Sequence, residues 1–245
     1  MTAEEQPAAV TATTLAEPNW RAVVAHVVPF IVWLLLLQAL GEPAGWKYAV
    51  RTAVGVGLLV WARPWKYYPV GGLAHLPLAL AAGLAVLAVW VFPELPFPGR
   101  WWSVQEWYLR FGVTPLGHLD KGYPDPSPYA PAVCGWPLSL VRLAGSAFVI
   151  AVIEEYFWRG FLYRWLIHAD FRKVSLREFD LRAFLIMVAL FGVEHDRWFV
   201  GALAGAAFGG LVLWTGRLWP AILAHVLTNF VLGLYVLGYG DYGFW

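Results

Sequence analysis

Two adjacent carboxylates and an arginine break a stretch that is otherwise apolar for many residues on its N-terminal side: residues 153–160 read IEEYFWRG. If this stretch lies in a bilayer, each ionised side chain costs about 2.5–3.5 kcal/mol even on lenient insertion scales, so the group is either neutralised or used. Glu155 and Arg159 stand four apart with the glutamate first, the spacing and order in which a helix lets opposite charges pair. Glu154 lies about 100° away around the same helix and has no partner on it, which leaves it free to titrate or to hold a water. A buried ion pair that only ties helices together accounts for Glu155 and Arg159, but not for Glu154.

Two further polar interruptions follow. FGVEH, residues 191–195, ends an apolar segment on His195; taken alone, with Glu194, Asp196 and Arg197 beside it, this reads as a membrane boundary. HVLTN, residues 225–229, places His225 and Asn229 on one helix face. Both can donate hydrogen bonds, as an oxyanion site requires, although interhelical hydrogen bonding would explain the pair equally well. The set is more informative than its members. Three separate segments supply a carboxylate base, an imidazole and an amide donor, the groups that peptide hydrolysis uses, at depths from the middle of a bilayer outward.

The elements that must hold these residues are membrane helices. Of 245 residues, 60% are hydrophobic and 13% charged, against about 25% charged in soluble domains. The expected fold is an all-α, polytopic transmembrane bundle with its active site inside the membrane. A span needs roughly 20 apolar residues, and the candidates are 22–40, 46–62, 74–92, 137–168, 181–197, 199–215 and 218–238. That makes about seven spans, in a range of six to eight: the second is marginal because it contains Arg51, and the long fourth is either one tilted helix or two. Sixteen tryptophans and eleven tyrosines suit headgroup-level anchoring. Gly201, Gly205 and Gly209 form a small-residue face for close helix packing.

Residues 1–19 are polar and acidic and read as a disordered tail rather than a signal peptide. Residues 20–92 hold the N-terminal transmembrane helices, and 93–136 an extramembrane loop. In that loop Trp101, Val104, Tyr108 and Phe111 are spaced for an interfacial amphipathic helix, and the prolines at 124, 126, 128 and 131 predict extended chain. A cytoplasmic N-terminus puts Arg21, Arg63, Lys66, Arg164, Arg172, Lys173, Arg177, Arg182 and Arg217 on the inner side, against Lys47, Arg51, Arg100, Arg110, Lys121 and Arg197 outside. The positive-inside bias therefore favours that orientation. A net charge of +1 without a basic cluster argues against nucleic acid. The single cysteine, Cys134, excludes an intramolecular disulfide and a cysteine-based zinc cluster.

The three motifs, EExxxR at 154–159, FxxxH at 191–195 and HxxxN at 225–229, occur in order without departure. Together they resemble the CPBP family of intramembrane proteases, the group named for type II CAAX prenyl endopeptidases and bacteriocin-processing relatives. EEYFWRGFLYRWLI, FGVEHDRWFVGALAG, LWPAILAHVLTNFVLGLYVL and the GFW at 243–245 further resemble the CAAX-protease-related proteins that accompany bacterial exosortase and PEP-CTERM sorting systems. The resemblance implies that residues 137–240 are a catalytic helix bundle in which Glu154 and His195 activate a water. His225 and Asn229 would hold the oxyanion, with Glu155 and Arg159 in support. It also implies an integral protein of a bacterial inner membrane, working within the lipid bilayer. The substrate would be a membrane-associated protein tail, and association with a C-terminal sorting system would follow. Zinc is the competing cofactor, with Glu154, His195 and His225 as its ligands; the absence of an HExxH signature favours no metal. Two other readings compete: a non-enzymatic membrane partner or an immunity or maturation factor that retains the motif, and an exosortase-type transpeptidase built on Cys134, Arg142 and a histidine.

Overall fold

The computed structural model describes residues 19–69, 71–95, 102–114, 116–117 and 125–245, and these form helices joined by turns, without a strand among them. Each of the seven expected apolar segments is a helix. They are α1 (Trp20–Ala39), α2 (Gly45–Ala62), α3 (Leu76–Val91), α5 (Trp136–Ile167), α6 (Leu181–Val193), α7 (Trp198–Thr215) and α8 (Trp219–Tyr239), with a short amphipathic helix α4 (Trp102–Trp107) between α3 and α5. Five of these, α1, α3 carried on to Glu94, α5, α7 and α8, are long and apolar enough to cross a membrane, the make-up of a polytopic integral membrane protein. The other two fall short for different reasons. α2 carries Lys47 and Arg51, whereas α6 has only 13 residues.

Local chemistry sets the helix limits. Asn19 accepts a hydrogen bond from the Ala22 N–H and so caps α1, while the rest of the expected N-terminal tail lies outside the described residues. Asp180 caps α6 in the same way through Ala183. Pro77, Pro137 and Pro220 sit in the first turns of α3, α5 and α8, where a missing N–H costs nothing. Gly216 and Gly240 end α7 and α8 with φ of 65° and 71°, a left-handed conformation that a residue bearing a Cβ resists.

The loop before α5 differs from its expected shape. Residues 125–130 turn rather than extend: Ala130 N–H donates to the Ser127 carbonyl, and Pro131–Cys134 forms one helical turn. Pro124 and Trp101 lie outside the described residues. Along the amphipathic stretch Val104 and Phe111 are exposed, but Tyr108 is buried against Val113 and Val200. The segment therefore clamps the start of α7, and hydrogen bonds from Trp198 Nε1 to Phe111 O (2.6 Å) and from Thr114 N to Asp196 O (2.8 Å) complete the clamp.

Small residues let the helices that carry the motifs approach closely. The glycine face of α7 lies on α6: a Cβ at Gly205 would come 3.1 Å from Phe191, and one at Gly209 would come 2.9 Å from Met187. α3 and α8 meet at Gly83, whose carbonyl accepts the Thr228 hydroxyl at 2.9 Å. A Cβ at Gly83 would stand 2.6 Å from the Ala224 carbonyl oxygen, whereas one at Gly57, on the exposed side of α2, would meet nothing within 4 Å. Gly83→Ala should accordingly lower stability by about 1–3 kcal/mol through overpacking, while Gly57→Ala should raise it by about 0.5–1 kcal/mol by removing backbone entropy. Thermal unfolding of the detergent-solubilised variants reads both; equal shifts of the same sign would contradict this packing.

Candidate active site

α5 is not a uniform helix. Two stretches of wide, i→i+5 turns, Gly145–Ile150 and Tyr156–Leu162, flank the regular turn Ala151–Glu155 that carries both glutamates. Wide turns of this kind recur at functional positions because they re-aim side chains within a continuous helix. Here the next turns place Glu155 and Arg159 fully inside the bundle, at 0% and 1% exposure.

The expected pair forms: Arg159 Nη1 donates to Glu155 Oε1 at 2.8 Å. Arg159 is further held by the Gly205 carbonyl of α7 at 3.1 Å, and its guanidinium lies 4.2 Å from the Phe191 ring centroid of α6. The same Glu155 oxygen also accepts from His225 Nδ1 of α8 at 3.0 Å. The link between Glu155 and His225 was not expected, because the two residues are 70 positions apart and no local spacing reports it. It has a chemical consequence. With Nδ1–H committed to Glu155, His225 presents Nε2 toward Glu154, whose Oε2 lies 3.8 Å away, beyond hydrogen-bond reach.

Glu154 Oε2 is buried and without a hydrogen-bond partner among the described residues. Glu154 lines a cavity of about 500 Å³ that is also lined by Glu194, His195, His225 and Asn229. All four expected catalytic side chains thus line one space. His195 donates from Nδ1 to the Phe191 carbonyl at 2.7 Å and packs edge-on against Trp90, so its Nε2 is the nitrogen left for chemistry. Asn229 spends one Nδ2–H on the Ser146 carbonyl of α5 at 3.0 Å, which orients the amide and leaves its second N–H.

The turn from α6 to α7 is more than a boundary. Arg197 pairs with Glu94 at the end of α3, its Nη2 lying 2.7 Å from Oε2, and also donates to the Gly243 carbonyl. These bonds fix the turn that holds His195. Glu194, read from its neighbours as a boundary residue, instead lines the cavity and accepts a hydrogen bond from Trp158 Nε1 at 3.1 Å. Its position beside the motif histidine was the only sequence signal for it. Arg51 and Arg142 also line the cavity. Cys134 does not: its Sγ sits 3.4 Å from Ser139 Oγ, near the contact between α2 and α5. Among the described residues no three His, Cys, Asp or Glu side chains converge to hold a metal ion, so the proposed zinc set does not form a ligand cage here and no step is derived through a metal.

Removing either partner from a fully buried ion pair strands the other charge, at a cost of about 3–5 kcal/mol. Glu155→Gln and Arg159→Gln should therefore each sharply lower thermal stability, and the double variant should lose clearly less than the two single losses combined. Additive losses would mean that the two side chains do not depend on each other.

No curated protein and no solved structure matches the chain. Residues 136–231, which run from the first turn of α5 into α8 and contain all three motifs, match the family of type II CAAX prenyl endopeptidases, Rce1-like.

Proposed function

We propose that the chain is an intramembrane endopeptidase that hydrolyses a peptide bond in a membrane-associated protein tail. The observation that carries this reading is that Glu154, whose buried Oε2 has no hydrogen-bond partner among the described residues, lines one cavity with His195, His225 and Asn229. A buried carboxylate oxygen with no protein donor calls for a water, and a water held by a carboxylate within reach of imidazoles is a nucleophile awaiting a carbonyl. The similarity of residues 136–231 to CAAX prenyl endopeptidases points the same way.

In this mechanism Glu154, with His195, takes a proton from the water as the water oxygen bonds to the scissile carbonyl carbon. The carbonyl becomes an oxyanion, held by the second Nδ2–H of Asn229 and by His225. Because Nδ1–H of His225 is committed to Glu155, Nε2 donates to the oxyanion only while the ring carries both protons, and Glu155 is then its counter-ion. Collapse of the tetrahedral intermediate breaks the C–N bond, and the proton first taken from water passes to the leaving amine. Glu155 and Arg159 act through position, not contact with substrate. The mechanism is of the glutamic type and needs no metal.

By the finer resemblance of its motifs, the substrate is a C-terminal sorting segment of a bacterial inner-membrane system. The competing non-enzymatic reading, a membrane partner that retains the motif for packing, makes the opposite forecast for Glu154. Glu154→Gln keeps the size of the side chain and should leave thermal stability near that of the parent while lowering cleavage by at least about a thousandfold, in the range for loss of a general base acting on bound water. Cleavage by the parent should survive strong chelation. Full activity in Glu154→Gln would favour the non-enzymatic partner, and zinc-dependent loss and recovery of activity would replace the glutamic mechanism with a metal one.

We further infer that the N-terminus and the 168–182 loop face the cytoplasm, since that side gathers Arg172, Lys173, Arg177 and Arg182. With Cys134 replaced by alanine, a cysteine placed at the exposed Ser175 should resist a membrane-impermeant thiol reagent in intact cells and react after lysis. Labelling before lysis would reverse the orientation.

A further inference from the structure

Arg51 and Arg142 line the catalytic cavity, and neither is paired with a carboxylate among the described residues. Arg51 is only 8% exposed, and the Nε of each arginine is buried without a hydrogen-bond partner. What holds them is aromatic. Arg142 lies 4.2 Å and Arg51 5.4 Å from the Tyr48 ring centroid; Arg51 also lies 4.4 Å from Trp33, and Arg142 5.0 Å from Tyr129. Stacking of this kind engages the face of a guanidinium and leaves the donors around its edge free. Two cations gathered on one ring repel each other, so the arrangement lacks an anion.

The position of Arg142 indicates which molecule supplies that anion. Arg142, Ser146, Ile150 and Glu154 follow at four-residue steps along α5, and all four line the cavity. An ideal α-helix would rotate such a row by about 40° at each step. The wide turns at Gly145–Ile150 slow that rotation and keep the row on one face. Twelve residues of helix rise by at most about 18 Å, which an extended peptide covers in about five residues. A peptide with its scissile carbonyl at Glu154 therefore reaches the arginines with its own chain.

We propose that Arg51 and Arg142 form a subsite for a carboxylate carried by the peptide substrate, within about five residues of the scissile bond. The carboxylate is either the C-terminal one or that of an aspartate or glutamate side chain. The subsite rests on the endopeptidase reading for its place in catalysis, but its chemistry can be tested by binding alone.

The test uses the full chain in detergent with Glu154→Gln, so that bound peptide is not cleaved. The probes are an apolar dodecapeptide labelled with a neutral boron-dipyrromethene dye and bearing a free C-terminal carboxylate, the same peptide as its C-terminal amide, and amides carrying one glutamate at successive positions. Fluorescence anisotropy should show one carboxylate-bearing form binding at least about tenfold more tightly than the plain amide. Preference for the free acid identifies the C-terminal carboxylate, and preference for one glutamate position identifies a side chain. Arg142→Gln or Arg51→Gln should erase the preference, and Arg142→Lys should retain part of it. Thermal unfolding shows whether each variant is folded; if one is not, the comparison of peptides on unaltered arginines still decides. Equal binding of all the peptides, or a carboxylate preference that survives both glutamine substitutions, overturns the subsite. Selective binding of one carboxylate form together with failure of the parent to cleave any of the peptides keeps the subsite and sinks the peptidase. Cleavage that ignores the carboxylate does the reverse.

Discussion

One oxygen organises the centre of this molecule. Glu155 Oε1 accepts both Arg159 of its own helix and His225 of α8, and Arg159 in turn reaches the Gly205 carbonyl of α7 and the Phe191 ring of α6. Four helices thus share one buried charge system. Desolvating a carboxylate and a guanidinium costs several kcal/mol each, and only close, multiply bonded geometry offsets it. That demand explains why the glycine face of α7 matters beyond packing: a side chain at position 205 would hold α7 off Phe191 of α6, and the Gly205 carbonyl would not lie so close to Arg159.

The same charge system sets the chemistry beside it. By accepting the hydrogen bond from Nδ1–H of His225, Glu155 leaves the other ring nitrogen toward Glu154. The hydrogen bond from Asn229 to Ser146 brings the amide onto the same helix, one side of which already presents Glu154 and Arg142. α5 is thus the rail of the site, and its wide turns are the device that keeps the rail straight. A helix of even pitch would turn the row from Arg142 to Glu154 through about 120°.

What could be read from sequence follows the reach of each interaction. The pairing of Glu155 with Arg159 spans one helical turn, so its spacing was visible in the motif itself. Glu154 stood out by elimination, because no partner lay on its helix. Hydropathy found all seven helices, since burial in lipid writes itself into composition over some twenty residues. The 13-residue α6 stands apart from the five spanning helices by its length, and α2 because Lys47 and Arg51 lower its mean apolarity. The hydrogen bond from His225 to Glu155 and the shared ring under Arg51 and Arg142 join residues many positions apart, and no periodicity records them. Glu194 read as a boundary residue for a related reason: its neighbour Arg197 is polar for a structural purpose, the pairing with Glu94, and it made a cavity residue look like part of a boundary. The prolines of 125–131 likewise read as extended chain, yet Ser127 turns the backbone there with its own carbonyl and hydroxyl.

Hydrolysis inside a membrane faces a supply problem, since lipid excludes the water that is both nucleophile and solvent for the charges. The cavity answers it by concentrating polar groups that the bundle could not otherwise tolerate. Glu154, Glu194, Arg51 and Arg142 are each expensive in hydrocarbon, and each becomes acceptable by facing a common wet space instead of lipid. The carboxylates share that space with the two imidazoles, and Arg142 of α5 and Arg51 of α2 line it on a bed of aromatic rings. Opposite charges are therefore held apart across one cavity rather than collapsed into pairs. Such a separation is stable only while Arg51 and Arg142 are braced by tyrosine and tryptophan and Glu194 by Trp158. The aromatic richness of the chain thus serves its interior, because it braces Arg51, Arg142 and Glu194 apart and, on the proposed function, leaves them available to a peptide and to water.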